Sequence, residues 1–282
     1  MNSLKPILGL LALTSLPTAG HAALLYGLTS SNQLVSFDSD NPGAVTPIGV
    51  ISAPGVVDID VYPVNKLLYG VNAGGSLFRI NTTTAAATLV ATPSVNIASV
   101  TDFDFNPAVD RLRIFSSGSR NFRMVPDVNN SNPGTPGAVT VDGQFSDLSA
   151  QLVGSAYKNN FDGVAAATTS LYSIDAVTDS LILHSGGPTF NTLNIVGSLG
   201  IPVGGNVGFD IRGLDTAFLS NDSDLYRVNL TTGAATSLGT VGASGLTSIA
   251  AAPIPEAGSL AIFALAGGLI TCRRREPGRS HS

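Results

Sequence analysis

Apolar and polar residues alternate in short runs along the middle of the chain, and turns rich in Gly, Asn, Asp, Pro and Thr separate the runs. The clearest stretch is residues 56–92, VVDIDVYPVNKLLYGVNAGGSLFRINTTTAAATLVAT. Residues 56–61 alternate apolar side chains with Asp58 and Asp60. Three further short runs follow at 67–71, 77–80 and 88–91. A period of two predicts half-buried strands, and the punctuating residues supply the backbone geometry of tight turns. The stretch therefore reads as a meander of four strands.

Looser copies of this unit fill most of the chain. Residues 24–27, Leu-Leu-Tyr-Gly, repeat residues 67–70, and strands at 33–38 and 45–50 follow them, but this first unit has no Asp-bearing opening strand. The third unit opens at 100–107 with Asp102 and Asp104 and continues at 111–115, 121–125 and 138–141, with a Pro-rich surface loop at 130–137. The fourth runs through 154–157, 170–175, 181–185 and 193–199. The fifth runs through 207–211, 216–220, 225–230 and 235–240. Residues 245–251 then read as an opening strand with no unit behind it. One end of the chain lacks a first strand and the other end has a spare one. That mismatch predicts an all-β fold: a five-bladed β-propeller-like ring closed by joining the N- and C-terminal strands, which removes the open edges. An open β-sandwich is the alternative, and it has no need of complementary ends. Helices are expected to be nearly absent from the ring.

The two ends of the chain read differently from its body. Residues 1–22 have the order of a secretory signal peptide. Lys5 is followed by an apolar run at 7–16, and Gly20-His21-Ala22 places small residues before a cut at Ala23. Residues 23–252 form the propeller-like domain. Residues 253–282 form a tail with Pro255-Glu256, an apolar run at 258–270 and the cluster Arg273, Arg274 and Arg275. As a helix the run spans roughly 20 Å, short of a ~30 Å hydrocarbon core, so this short transmembrane helix needs snorkelling arginines or local thinning. Three consecutive arginines fit a cytoplasmic stop.

The tail resembles the PEP-CTERM sorting signal of Gram-negative bacteria, with Ala257 where that motif usually has a second Pro. The resemblance implies a sorting protease of the exosortase type as partner. It also implies a membrane-anchored intermediate at the inner membrane, and delivery to the cell surface or extracellular matrix. The body resembles the domain of unknown function 4394 family. The matching segments are residues 103–107 (Phe-Asp-Phe-Asn-Pro), 110–113 (Asp-Arg-Leu-Arg), 121–123 (Asn-Phe-Arg), 193–200 and 207–211. No activity comes with that name.

Charge narrows the partners. Residues 23–253 hold nine Lys/Arg against seventeen Asp, a net of −8, and contain no Glu. A net negative body argues against nucleic acid. Asp without Glu suits turns, where a short carboxylate reaches nearby backbone N–H groups. The single cysteine, Cys272, excludes an intrachain disulfide, and three histidines in the whole chain leave little for a zinc site.

Four groups of residues are candidates for chemistry. His184 would be needed by any Ser-His-Asp triad, and its alternating context, Leu-Ile-Leu-His, predicts a strand-end histidine near solvent. A glycosidase needs two carboxylates, one of them held protonated, and the body has no Glu for the acid role. Asp58 and Asp60, Asp102 and Asp104, and Asp210 lie on opening strands. Members of a pair point the same way, so in a propeller they line the central channel. Such a ring suits a cation such as Ca²⁺, the one cofactor the sequence suggests; the alternative is that these carboxylates cap loops and pair with neighbouring Arg. Arg111, Arg113 and Arg123, with Arg120, gather in a short segment able to grip an acidic extracellular polysaccharide. The competing reading, which the many nearby carboxylates favour, is internal pairing with Asp102, Asp104 or Asp110. These readings converge on an exported, surface-sorted, non-catalytic propeller with a structural or adhesive role in the cell envelope or polysaccharide matrix. A ligand- or cation-binding sensor propeller is the alternative, and a glycan-active enzyme stands third.

Overall fold

A computed structural model describes residues 22–126, 134–163 and 165–254. Among the described residues, twenty strands form five antiparallel four-stranded sheets. Blade 2 is the regular unit: β4 (Val56–Tyr62), β5 (Leu67–Asn72), β6 (Leu77–Ile80) and β7 (Ala87–Ala91) run from the axis outwards. Blade 3 holds β8 (Val100–Asn106), β9 (Arg111–Ser116), β10 (Arg120–Met124) and β11 (Val139–Gln144). Blade 4 holds β12 (Leu152–Tyr157), β13 (Leu171–Asp175), β14 (Ser180–Ser185) and β15 (Thr192–Ser198). Blade 5 holds β16 (Val207–Arg212), β17 (Thr216–Asn221), β18 (Asp224–Val228) and β19 (Ala235–Thr240). The described residues contain no helix.

Blade 1 is assembled from both ends of the ring. Its order is β20-β1-β2-β3, with β1 (Leu24–Thr29), β2 (Gln33–Asp38), β3 (Asn41–Val50) and β20 (Leu246–Ala251). β20 pairs antiparallel with β1, from Leu25 opposite Ala251 to Thr29 opposite Leu246. The all-β, five-bladed closure expected from the mismatched ends is therefore present. β3 is longer than the expected 45–50, because the chain turns directly after Asp38 and Asn41 already pairs back to it.

The alternating pattern places two apolar faces on each blade, and neighbouring blades pack face to face. Between blades 2 and 3 lie Tyr62, Tyr69, Phe103, Phe105, Leu112 and Ile114, with the Tyr62 and Phe105 rings stacked at 4.5 Å. The closing strand is packed in the same way: Leu246, Ile249 and Ala251 meet Phe37 and Phe218. Fully burying a large apolar side chain contributes about 1.5–3 kcal/mol, so each inter-blade cluster is a substantial part of the stability. The signal peptide read at residues 1–22 lies outside the described residues except for Ala22, and the tail residues Pro255, Glu256, Arg273, Arg274 and Arg275, with the short transmembrane helix read at 258–270, lie wholly outside them. No helix among the described residues is long and apolar enough to cross a membrane.

Candidate functional site

The innermost strands β4, β8, β12, β16 and β20 stand side by side around the axis, and side chains rather than a sheet ladder connect them. Asp58 Oδ2 accepts the N–H of Phe103 at 2.7 Å, and Asp60 Oδ2 accepts that of Phe105 at 3.0 Å. Asp104 Oδ1 accepts the N–H of Tyr157 at 3.2 Å, and Ser248 Oγ accepts that of Ile59 at 3.0 Å. Asp210 Oδ2 accepts the N–H of Ala251 at 2.5 Å. Each acceptor thus takes the amide that follows its counterpart on the next strand. Three of the carboxylates also bind the amide of their own following residue: Ile59, Val61 and Ile211.

This register sorts the axial residues into two layers of five. One layer is Asp58, Asp102, Gly154, Gly208 and Ser248. The other is Asp60, Asp104, Ala156, Asp210 and Ala250. Gly154 and Gly208 obey the same register without side chains. A Cβ on Gly154 would lie 2.8 Å from Phe209 Cβ, and one on Gly208 would lie 2.5 Å from the Ile249 nitrogen. Where the layer has glycine the strands approach closely, and where it has Asp the carboxylate spans the gap.

All five carboxylates are buried, with Asp58 the most exposed at 8%. None is ion-paired among the described residues, so the expected pairing of channel carboxylates with Arg is not how they are held. Desolvation is the main force on each. It raises Asp58 to about 6 and Asp210 to about 7, the backbone N–H bonds opposing it in both. Asp60 is held well above the usual carboxylate range by burial and then by Asp210, and Asp104 by burial and then by Asp60 and Asp210. Asp102 is raised by burial and by the adjacent Asp58. Carboxylate oxygens of Asp60, Asp104 and Asp210 converge to within 4.8 Å of one another. Asp102 lies beside Asp58 and Ser155, and its Oδ2 has no hydrogen-bond partner.

A strap closes one mouth of the channel. Residues 158–163 and 165–170, between β12 and β13, form it, and they bind the ends of the other four innermost strands. Asn159 N–H donates to Gly213 O at 2.7 Å, and Asp162 N–H donates to Ile254 O at 2.9 Å. Gly163 N–H donates to Pro63 O at 2.9 Å, and Ala166 N–H donates to Pro107 O at 3.0 Å. Lys66 pins the strap from blade 2 through Asp162 at 2.8 Å. The layer of Asp60, Asp104 and Asp210 is the one nearer this mouth.

The arginine cluster is not brought together as one surface. Arg113 is 2% exposed. Its Nε donates to Tyr157 Oη at 2.6 Å, its Nη1 to Asn121, Asp142 and Thr189 O, and its Nη2 to Pro188 O. Arg123 forks onto the same Asp142 with two bonds of 2.7 Å. The internal partner of both is Asp142, rather than the Asp102, Asp104 or Asp110 expected from nearness in sequence. Arg111 is half-buried, with a bond from Nη1 to Asp110 O.

His184 is buried at 3% exposure, not near solvent as its strand-end position predicts. Phe115 and Phe145 of blade 3 pack on its ring. Phe190 O can only accept, so Nδ1 carries the proton across that 2.8 Å bond. Nε2 then accepts from Ser173 Oγ at 2.7 Å, and Ser173 Oγ accepts in turn from Ser155 at 2.8 Å. Burial lowers the imidazole to about 4. Its Nδ1 partner is a carbonyl rather than a carboxylate, and Ser173 is fully buried, so the arrangement is a structural relay inside the sheet.

A family model described as domain of unknown function (DUF4394) matches residues 33–250. The chain belongs to the DUF4394 family. No curated protein matches it. Among solved structures it is similar to PorZ, a surface component of the type-IX secretion system of Porphyromonas gingivalis, at 11% identity and TM-score 0.42 over 79% of this chain and 27% of that one. It is also similar to an auxiliary nutrient binding protein from Bacteroides thetaiotaomicron, at 14% identity and TM-score 0.41, over 70% of this chain and 56% of that one. A third is the Cps50 (Swd1) β-propeller domain of Myceliophteria thermophila, at 12% identity and TM-score 0.40, over 74% of this chain and 64% of that one. The DUF4394 chain spans less than two thirds of the length of each of these proteins, and likeness at this level carries no functional inference.

Proposed function

We propose that this protein is an exported, surface-sorted propeller without catalytic activity, with a structural or adhesive role in the cell envelope or its extracellular polysaccharide. One observation carries the reading. The axis, where propellers commonly place ligands, is lined by buried carboxylates that cross-brace adjacent strands, and a strap bonded to all the other blades covers one mouth. The burial of the Ser173–His184 pair and the internal use of Arg113 and Arg123 support the same conclusion. Export and sorting rest on the sequence of residues 1–22 and on Pro255, Glu256 and Arg273–Arg275 at the other end. An exosortase-type protease is the partner this reading requires, acting on a membrane-anchored intermediate. Extracellular polysaccharide is the proposed contact, and the acidic body argues against non-specific nucleic-acid binding.

The purified protein is to be assayed on a panel of chromogenic glycosides and on a glycan array. The scaffold reading expects no turnover. Saturable binding to acidic glycans would favour adhesion, and turnover abolished by replacement of an axial Asp would overturn the reading. Replacing Pro255-Glu256 by Ala-Ala is expected to leave the unprocessed chain in the membrane fraction, and normal release would remove the sorting part.

A further inference from the structure

We propose that the propeller axis holds a divalent cation whose protein ligands are carboxylate oxygens of Asp60, Asp104 and Asp210. This inference does not depend on the surface role proposed above. The three residues come from blades 2, 3 and 5, are nine-tenths or more buried, and bring carboxylate oxygens within 4.8 Å of one another. Convergence from three separate blades requires the closed ring. Ala156 and Ala250 complete the layer, so its centre belongs to the carboxylates alone.

A second, independent observation points to a ligand. Asp102 is 5% exposed, yet its Oδ2 has no hydrogen-bond donor. It shares a face of β8 with Asp104, two residues on, so it too is turned to the axis. On the mouth side, the strap residue Asn160 is 2% exposed and its Oδ1 likewise has no partner. Buried acceptors left without a donor are uncommon and costly, because desolvation is not offset. Of the two, Asp102 is the one whose strand face turns it to the axis beside the carboxylate layer. The common complement of unmatched buried oxygens and close carboxylates is a positive ion.

The donor set selects the class of ion. It contains oxygen only, with no imidazole or thiolate, which suits hard cations and disfavours zinc or copper. Asp60 and Asp210 already accept backbone N–H groups on both oxygens, and each oxygen has a second lone pair for a metal. Those N–H bonds fix the carboxylate planes in the way that outer-shell donors orient metal ligands. Flexible coordination and longer bonds make Ca²⁺ the first probe, with Mg²⁺ and Mn²⁺ as comparisons.

The test uses the full chain, stripped of metal, re-equilibrated with Ca²⁺, Mg²⁺ or Mn²⁺ and desalted. Elemental mass spectrometry should find one retained ion per chain, and thermal melts should rise by roughly 5–10 °C at a hundred times Kd. Asp104→Asn is the chosen variant, because Asp104 braces the fewest amides and Asn keeps an acceptor for Tyr157. It should remain folded by circular dichroism while losing the ion and the shift. Should that variant not fold, Asp60→Asn replaces it, and the wild-type ion content still decides whether a site exists. No retained ion and an unchanged melt with all three metals would overturn the proposal in favour of shared protons among the carboxylates. An ion that survives a folded Asp104→Asn or Asp60→Asn variant would place it elsewhere and overturn the assignment.

Discussion

Asp210 Oδ2 accepts the backbone N–H of Ala251 at 2.5 Å, which ties the innermost strand of blade 5 to the strand that completes blade 1. The bond is a link in a chain of side-chain-to-amide contacts, and it anchors the strand that pairs with β1 at the seam where the ring closes. Closure therefore rests on apolar packing, on the β20–β1 ladder and on a carboxylate that holds β20 against blade 5.

Removing the seam should be decisive. A chain ending after Gly242 loses β20, exposes the edge of β1 and leaves Phe37 and Phe218 without Leu246 and Ile249. At about 1.5–3 kcal/mol for each large side chain, against net stabilities of ~5–15 kcal/mol, this chain is expected to unfold or aggregate. A chain ending after Pro253 is expected to melt cooperatively as a monomer. Circular dichroism melts with size-exclusion chromatography provide the check, and equal behaviour of the two would mean that the seam contributes little.

Gly208 carries a steric prediction. A methyl group there would sit 2.5 Å from the Ile249 nitrogen and 2.7 Å from the Ser248 carbonyl carbon, both backbone atoms of the closing strand. Overpacking of this kind costs about 1–3 kcal/mol, and the rigid neighbours place Gly208→Ala at or above the upper end. Gly204→Ala meets nothing within 4 Å and should change stability by no more than about 0.5 kcal/mol. Urea unfolding of the two variants beside the parent measures the difference.

His184 gives a pH dependence with a definite sign. Its folded pKa is about 4, against an unfolded value near ~6.5. Between these values the unfolded chain binds a proton that the folded chain refuses. The stabilisation is therefore complete above ~6.5, declines as pH falls through the window, and is gone below about 4. The loss is on the order of 3 kcal/mol. The axial carboxylates, with raised folded values, act in the opposite direction, so the quantity to measure is parent minus His184→Gln. That difference should shrink as pH falls from 7 to 4, whereas a flat difference would mean that the buried imidazole titrates normally.

Much of the ring was legible because its determinants are local. Alternation marks the strands, and turn residues set their ends. The copy of Leu-Leu-Tyr-Gly at 24–27 and 67–70 shows which strand the first blade lacks. The axial aspartates were legible for the same reason, since i and i+2 share a face. The strap was not legible: its bonds join backbone groups far apart in sequence, and backbone carries no residue signature. His184 was misplaced because its cover, Phe115 and Phe145, comes from the preceding blade. Gly154 and Gly208 gave no sign of standing level with Asp58 and Asp102, because the equivalence is one of register rather than residue type.

The seam also governs when the fold can complete. β1, β2 and β3 are made early, yet their blade stays one strand short until residues 246–251 have been synthesised. The contact between Leu25 and Ala251 spans nearly the whole ring, and the entropy of closing so long a loop must be met before any of its ladder forms. Blades 2 to 5 have no such wait, since each is a continuous meander. Synthesis therefore runs ahead of closure by design of the topology: a growing chain can build four blades in order, but the circle is completed only by its last strand.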